Sequence, residues 1–279
     1  MNPIVNTAWL AEHLTDGDLR IIDIRGHVAP PTDPHPHYFA HRAEYEQSHL
    51  PGAVFVDWVR DITDPASPNA SQIATPEAYA AFMSSLGIGD DTLVVAYDDA
   101  GAMFAARLWW TLTYYGHDKV VILDGGWQKW TGEGRPVTTE IPQFPPATFT
   151  PHINPAIRRT IDEVAAAPSD TKLIDVRTPA EYTGEASRAQ RSGHIPGAIN
   201  LPRGVLVNAD GTFPTPEALR ARFAEIGLID DAGDVVLYCN GGVSASYGLL
   251  ALKLAGFENG AVYDGSWKEW GNDPTRPIE

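Results

Sequence analysis

The sequence predicts an α/β protein built as two similar domains, each a mostly parallel sheet flanked by helices. Three observations predict it: a length of 279 residues, an internal repeat in which the blocks keep their order, and short β-branched runs alternating with helix-length segments in each copy. A chain this long exceeds the usual core of about 100–200 residues, so two domains are expected. Composition is that of a folded protein, with 43% hydrophobic and 20% charged residues, while 25 Gly and 23 Pro supply many short connections.

The repeat carries the element assignments. Ile21-Ile22-Asp23-Ile24-Arg25 returns as Leu173-Ile174-Asp175-Val176-Arg177, a buried strand ending in an acid and an arginine. These acid–arginine couples read as strand-end ion pairs, common to both copies. HLPGA from His49 returns as HIPGA from His194, and TPEAYAAFMSSLGIGDD from Thr75 returns as TPEALRARFAEIGLIDD from Thr215. Thr75-Pro76-Glu77 and Thr215-Pro216-Glu217 are helix starts, with Thr as N-cap, Pro in the first turn and an acid near the positive dipole end. VVAY ending at Tyr97 matches VVLY ending at Tyr238, and LDGGWQKW ending at Trp130 matches YDGSWKEW ending at Trp270. A period of roughly 140 residues is too long for a solenoid, so each copy is a domain. Six prolines between residues 136 and 155 suit an extended linker. The expected division is a first domain over 1–137, a linker over 138–155 and a second domain over 156–279.

Several function classes are set aside by composition. A formal net charge of −16 argues against nucleic acid, whose binding rests on Lys and Arg neutralising phosphates. No apolar run reaches the roughly 18 residues that span a bilayer, and MNPIVNTAWLAEHL lacks the build of a secretory leader, so a cytoplasmic protein without a membrane partner is expected. One cysteine excludes an internal disulfide and a multi-thiolate zinc site. His35, His37 and His41 raise a metal hypothesis, but they lie in a Pro-rich insertion without a secured helical i, i+4 pair, and no metal is assigned. The aromatic segment from Trp109 to Tyr115 reads as core or interdomain packing.

The copies diverge where chemistry is expected. Aligning Tyr97 with Tyr238 sets Asp98-Asp99-Ala100-Gly101 opposite Cys239-Asn240-Gly241-Gly242, so the single cysteine belongs to the second copy alone. It falls in a Gly-rich turn between the strand DVVLY and the helical stretch SASYGLLALKLAG. Inward N–H groups of such a turn, together with a helix N-terminus, favour an anion such as a thiolate. A lone cysteine is often a small buried hydrophobe. One at the carboxyl end of a strand, beside two glycines, stands where open α/β sheets bind ligands.

On these residues the sequence resembles the tandem-domain rhodanese family, the thiosulfate and 3-mercaptopyruvate sulfurtransferases, over nearly its whole length. The carrying motifs are HLPGAVFVD from His49, RLWW from Arg107, HIPGA from His194, CNGGVSA from Cys239 and YDGSWKEW from Tyr263. The resemblance implies two rhodanese-like domains, the first without its cysteine, and no metal or organic cofactor. It implies that Cys239 takes the sulfur of 3-mercaptopyruvate or thiosulfate as a persulfide, releasing pyruvate or sulfite. Cyanide or a thioredoxin-like dithiol protein then accepts it.

The loop Asn240, Gly241, Gly242, Val243, Ser244, Ala245 is the expected persulfide cradle, with Ser244 as a hydroxyl donor or a helix cap. Relatives place substrate-binding arginines near Arg188 and Arg191, a histidine near the site at His49, and apolar lining at Met103 and Phe104. A neutral loop points toward 3-mercaptopyruvate. Gly241, where that pattern has a hydroxyl, and Glu181, where it has an arginine, point away from it. Thr178-Pro179-Ala180-Glu181 instead reads as a capping box. Two other readings are weighed. A cysteine phosphatase needs an arginine six residues after the cysteine, and Ala245 stands there. A sulfur carrier that binds without turnover would share the same loop.

Overall fold

The computed structural model describes residues 2–68, 71–229 and 233–279. The first domain contributes strands β1 (Ile4–Val5), β2 (Leu19–Asp23), β3 (Gly26–Val28), β4 (Tyr38–Ala40), β5 (Ala53–Phe55), β6 (Leu93–Tyr97) and β7 (Val120–Leu123). The second contributes β8 (Arg158–Arg159), β9 (Lys172–Asp175), β10 (Ile199–Asn200), β11 (Val235–Tyr238) and β12 (Gly260–Tyr263). Two five-stranded sheets result, with orders β1-β7-β6-β2-β5 and β8-β12-β11-β9-β10. Every pairing in both is parallel. The orders correspond strand for strand, so the sequence repeat is a repeat of topology. Strands β3 and β4 form a separate antiparallel hairpin found in the first copy.

The expected caps form. Thr75 accepts from the Ala78 amide at the start of Pro76–Ser85, and Thr215 accepts from that of Ala218 at Pro216–Glu225. Each is worth about 1 kcal/mol. The strand-end ion pairs also form. Arg25 Nε lies 2.9 Å from Asp23 Oδ2, and Arg177 Nε is 3.0 Å from both Asp175 oxygens, with all four side chains buried.

The helices that follow β6 and β11, Met103–Tyr114 and Val243–Leu254, are apolar on almost every face and buried along most of their length. A helix without a polar face must be covered all round. Each lies on its own sheet and packs against the other, so one apolar core runs through both domains. Trp109 and Trp110 belong to this shared core, and Trp110 Nε1 donates to the Ile157 carbonyl.

The Pro-rich segment lies along the first domain. The Ala147 amide bonds the Ser84 carbonyl, that of His152 bonds Tyr115 and that of Asn154 bonds Tyr114. Among the described residues no helix is long and apolar enough to cross a membrane.

Candidate active site

Cys239 follows β11 and is 4% exposed, sealed except where it lines a cavity of about 270 Å³. The loop is therefore covered, although it stands at the carboxyl end of a strand where open sheets are usually accessible. The shared core brings the first domain down over the loop, and the cavity lies between the domains. The second domain supplies Cys239, Asn240, Gly241 and Ser244, and the first supplies Tyr38, Trp58 and Met103.

The loop is held from behind. Ser266 Oγ accepts from the amides of Cys239 and Gly242, each at 3.1 Å, and donates to the Tyr263 carbonyl. Ser266 has φ 54°, a left-handed conformation that costs a non-glycine residue about 1–3 kcal/mol. The first copy has Gly126 there at φ 50°, so the serine is present despite strain, and its hydroxyl fixes the turn. Gly242 has φ 80°, and a Cβ on it would lie 2.8 Å from Asp264 Oδ1 and 2.9 Å from Arg107 Nη1. Only glycine fits.

What the turn can hold is shown by its counterpart. Asp98, in the place of Cys239, is wholly buried, and its Oδ1 accepts from the amides of Ala100 and Ala102 while Oδ2 accepts from those of Phe104 and Ala105. Burial pushes the Asp98 pKa up and these N–H donors pull it back. Four donors converging on two oxygens is the coordination of a carboxylate. The matching amides in the second copy are those of Gly241, Val243 and Ala245, the last two at the start of a helix where N–H groups lack intrahelical acceptors. The fourth match, Ser246, already donates to the Gly242 carbonyl. The first copy thus seats a carboxyl group among converging N–H donors where the second presents a thiol.

Positive charge surrounds the cavity. Arg188 donates from Nη2 to the Ala29 carbonyl at 2.6 Å, while its buried Nη1 has no hydrogen-bond partner. Arg177 also lines the cavity and also keeps a buried Nη1 without a partner. Both guanidinium groups line the cavity, where their positive charge suits an anion. Arg203, missed by the sequence reading, donates to the carbonyls of Gly101 and Ala100 across the interface.

Lys268, also missed, stands where the first copy has Gln128, a difference that was visible in the repeat. Its Nζ sits 3.8 Å from the centre of the Tyr38 ring. Burial pulls its pKa down to about 8, helped by the Arg188 charge and opposed by Cys239. Raising pH through about 8 removes this cation from beside Arg188 and Cys239. KM for an anionic donor should therefore climb above that pH, and Lys268→Met should give a KM already raised and free of this inflection. An unchanged pH profile in the variant would contradict this role.

Glu181 forms the expected capping box with Thr178, and it also faces the cavity. It accepts from Asn240 Nδ2 at 2.8 Å and stands 3.5 Å from Arg188 Nε, orienting both. Ser244 Oγ lies 3.3 Å from Met103 Sδ, a contact between the domains.

Three expectations are corrected. His49 is fully buried away from the cavity; Nδ1 faces the Tyr45 carbonyl, Nε2 faces that of Glu140, and the ring stacks on Tyr45. His194 stacks on Tyr182 with Nδ1 toward its carbonyl, the same turn in the other copy. Arg191 turns from the site and donates to the carbonyls of Gly271, Arg276, Trp270 and Asp273, clamping the C-terminal segment. Phe104 lies behind the wall against Trp58, whereas Met103 lines the cavity. As for the histidine cluster, His35 stacks on His37 while His41 pairs with Asp99, and among the described residues no group of three potential ligands forms.

A model of the rhodanese-like domain matches residues 6–133 and again 160–273. The chain belongs to the rhodanese family. This tandem rhodanese is 38% identical to the sulfur carrier protein TtuD of Thermus thermophilus over 290 residues, covering 99% of the chain and 95% of that protein. It is 35% identical to the thiosulfate sulfurtransferase of Bos taurus, covering 96% and 91%. The crystal structure of the 3-mercaptopyruvate sulfurtransferase SseA from Escherichia coli superposes with a TM-score of 0.84 at 33% identity, covering 96% of this chain and 99% of that one. The rhodanese is a sulfurtransferase.

Proposed function

We propose that this rhodanese transfers sulfur in two steps through a persulfide on Cys239, taking it from a small anionic donor of the 3-mercaptopyruvate or thiosulfate type. The observation that carries this reading is the turn that binds the Asp98 carboxylate in one copy and presents Cys239 in the other, beside a cavity walled by Arg177 and Arg188. In the first step the Cys239 thiolate attacks the donor sulfur. With thiosulfate the S–S bond breaks and sulfite leaves; with 3-mercaptopyruvate the C–S bond breaks and the carbon, once protonated, leaves as pyruvate. The amides of Gly241, Val243 and Ala245 hold the anionic sulfur, and the Arg188 guanidinium meets the donor's carboxylate or sulfonate. In the second step an acceptor, cyanide or a dithiol, takes the outer sulfur and frees the thiolate. A covalent intermediate between two half-reactions predicts double-displacement kinetics.

The test compares kcat/KM for the two donors in the wild type and in Arg188→Ala. Loss of one guanidinium that binds ground state and transition state alike should raise donor KM on the order of tenfold with little change in kcat. Unchanged KM for both donors would remove Arg188 from the anion site. Many turnovers per enzyme are expected, whereas a single stoichiometric transfer would favour a carrier.

A further inference from the structure

We propose that Asp99, His41 and His27 form a proton relay that takes the proton from an incoming acceptor thiol. The inference deepens the second half-reaction and rests on Cys239 carrying the sulfur. His41 Nδ1 lies 2.7 Å from Asp99 Oδ2, and His41 Nε2 lies 2.8 Å from His27 Nδ1. The other oxygen of Asp99 accepts from the Gly26 amide at 3.1 Å, fixing the carboxylate. A carboxylate only accepts, so His41 donates from Nδ1, and with a neutral ring its Nε2 accepts from His27 Nδ1. That assignment leaves a lone pair on His27 Nε2. A proton arriving there is stabilised through both rings by the Asp99 charge, the logic of a base oriented by a third group.

The relay has a place to act. It lines an open groove of about 450 Å³ that shares Val28, Met103, Glu181, Arg188, Asn240 and Ser244 with the Cys239 cavity. His27 is exposed on the β3–β4 hairpin and stacks on Phe39 at 4.5 Å, which orients its ring. The charged groups across the groove are Glu181 and Arg188, 3.5 Å apart. The groove adjoins the Cys239 cavity through the six shared residues, which puts the histidines beside a route by which an acceptor can enter.

The step balances without an oxidant or reductant. The thiol proton moves to His27 Nε2, and the acceptor sulfur bonds to the outer sulfur of the Cys239 persulfide. The Cys239 S–S bond breaks with its electron pair returning to the Cys239 thiolate, and the acceptor leaves as a persulfide. Thiols with a pKa of about 8.5 are mostly protonated near neutrality and need the base. The sulfite dianion attacks with a lone pair and does not.

The experiment loads the enzyme with donor, then follows discharge by intact mass with dithiothreitol or with sulfite. His27→Gln, an exposed substitution, should slow discharge to dithiothreitol on the order of a hundredfold while loading and discharge to sulfite stay as in the wild type. Asp99→Asn should slow the dithiothreitol reaction in the same selective way. Equal slowing with both acceptors, or no slowing with either, would overturn the relay. Absence of sulfur on Cys239 in the wild type would overturn both the relay and the reading beneath it.

Discussion

Cys239→Ser is expected to lose sulfur transfer by on the order of a thousandfold or more while the protein stays folded. A serine hydroxyl is nearly isosteric but cannot become a stable anion in the turn, and oxygen forms no persulfide. The fold should tolerate it because the side chain faces the cavity, and the amides of Cys239 and Gly242 are held by Ser266 rather than by the thiol. Release of pyruvate or sulfite and formation of thiocyanate measure the activity, and thermal unfolding by circular dichroism measures the fold. Turnover persisting in the variant would sink the covalent mechanism.

Arg107→Met is expected to be the most destabilising single change, by about 3–5 kcal/mol. Arg107 Nη2 and Asp264 Oδ1 are 2.8 Å apart across the domain interface, with both side chains 1% exposed. Removing the cation strands a buried carboxylate, whose remaining partners are the Ile73 amide at 3.2 Å and Arg158 at 3.5 Å. The midpoint of urea unfolding reads the loss. Asp264→Leu added to Arg107→Met should recover part of it, since removing both charges costs less than leaving one unpaired. A fall in activity should accompany the single variant, because the pair abuts Gly242 behind the cysteine. If Arg107→Met unfolds at the wild-type urea concentration, the pair does not hold the domains together.

Much of this architecture was legible in the sequence because the repeat compares the protein with itself. Matching blocks fixed the equivalent strands, and the two sheets adopt the same order. The position where Asp98 is aligned with Cys239 is where the chemistry is proposed, since residues kept in both copies serve the fold. Applied to His49, the same logic outweighs the place near the site expected from relatives: His49 and His194 are kept in both copies and anchor the same kind of turn.

Other features were not legible because they depend on contacts between distant residues. Arg188 and Arg191 lie three positions apart in one loop, yet one reaches Ala29 in the other domain and the other closes on the C-terminal segment. Nothing in local spacing separates them. The burial of Cys239 likewise follows from two largely apolar helices that cover each other and draw the first domain over the site. Lys268 and Ser266 were within reach, since each differs from its partner residue in the first copy, Gln128 and Gly126.

The most direct test of the persulfide is the mass of the enzyme after it meets donor without acceptor. One added sulfur atom confined to the peptide containing Cys239, lost on adding cyanide or dithiothreitol, is the predicted result. Continued turnover with no added sulfur on that peptide would contradict it.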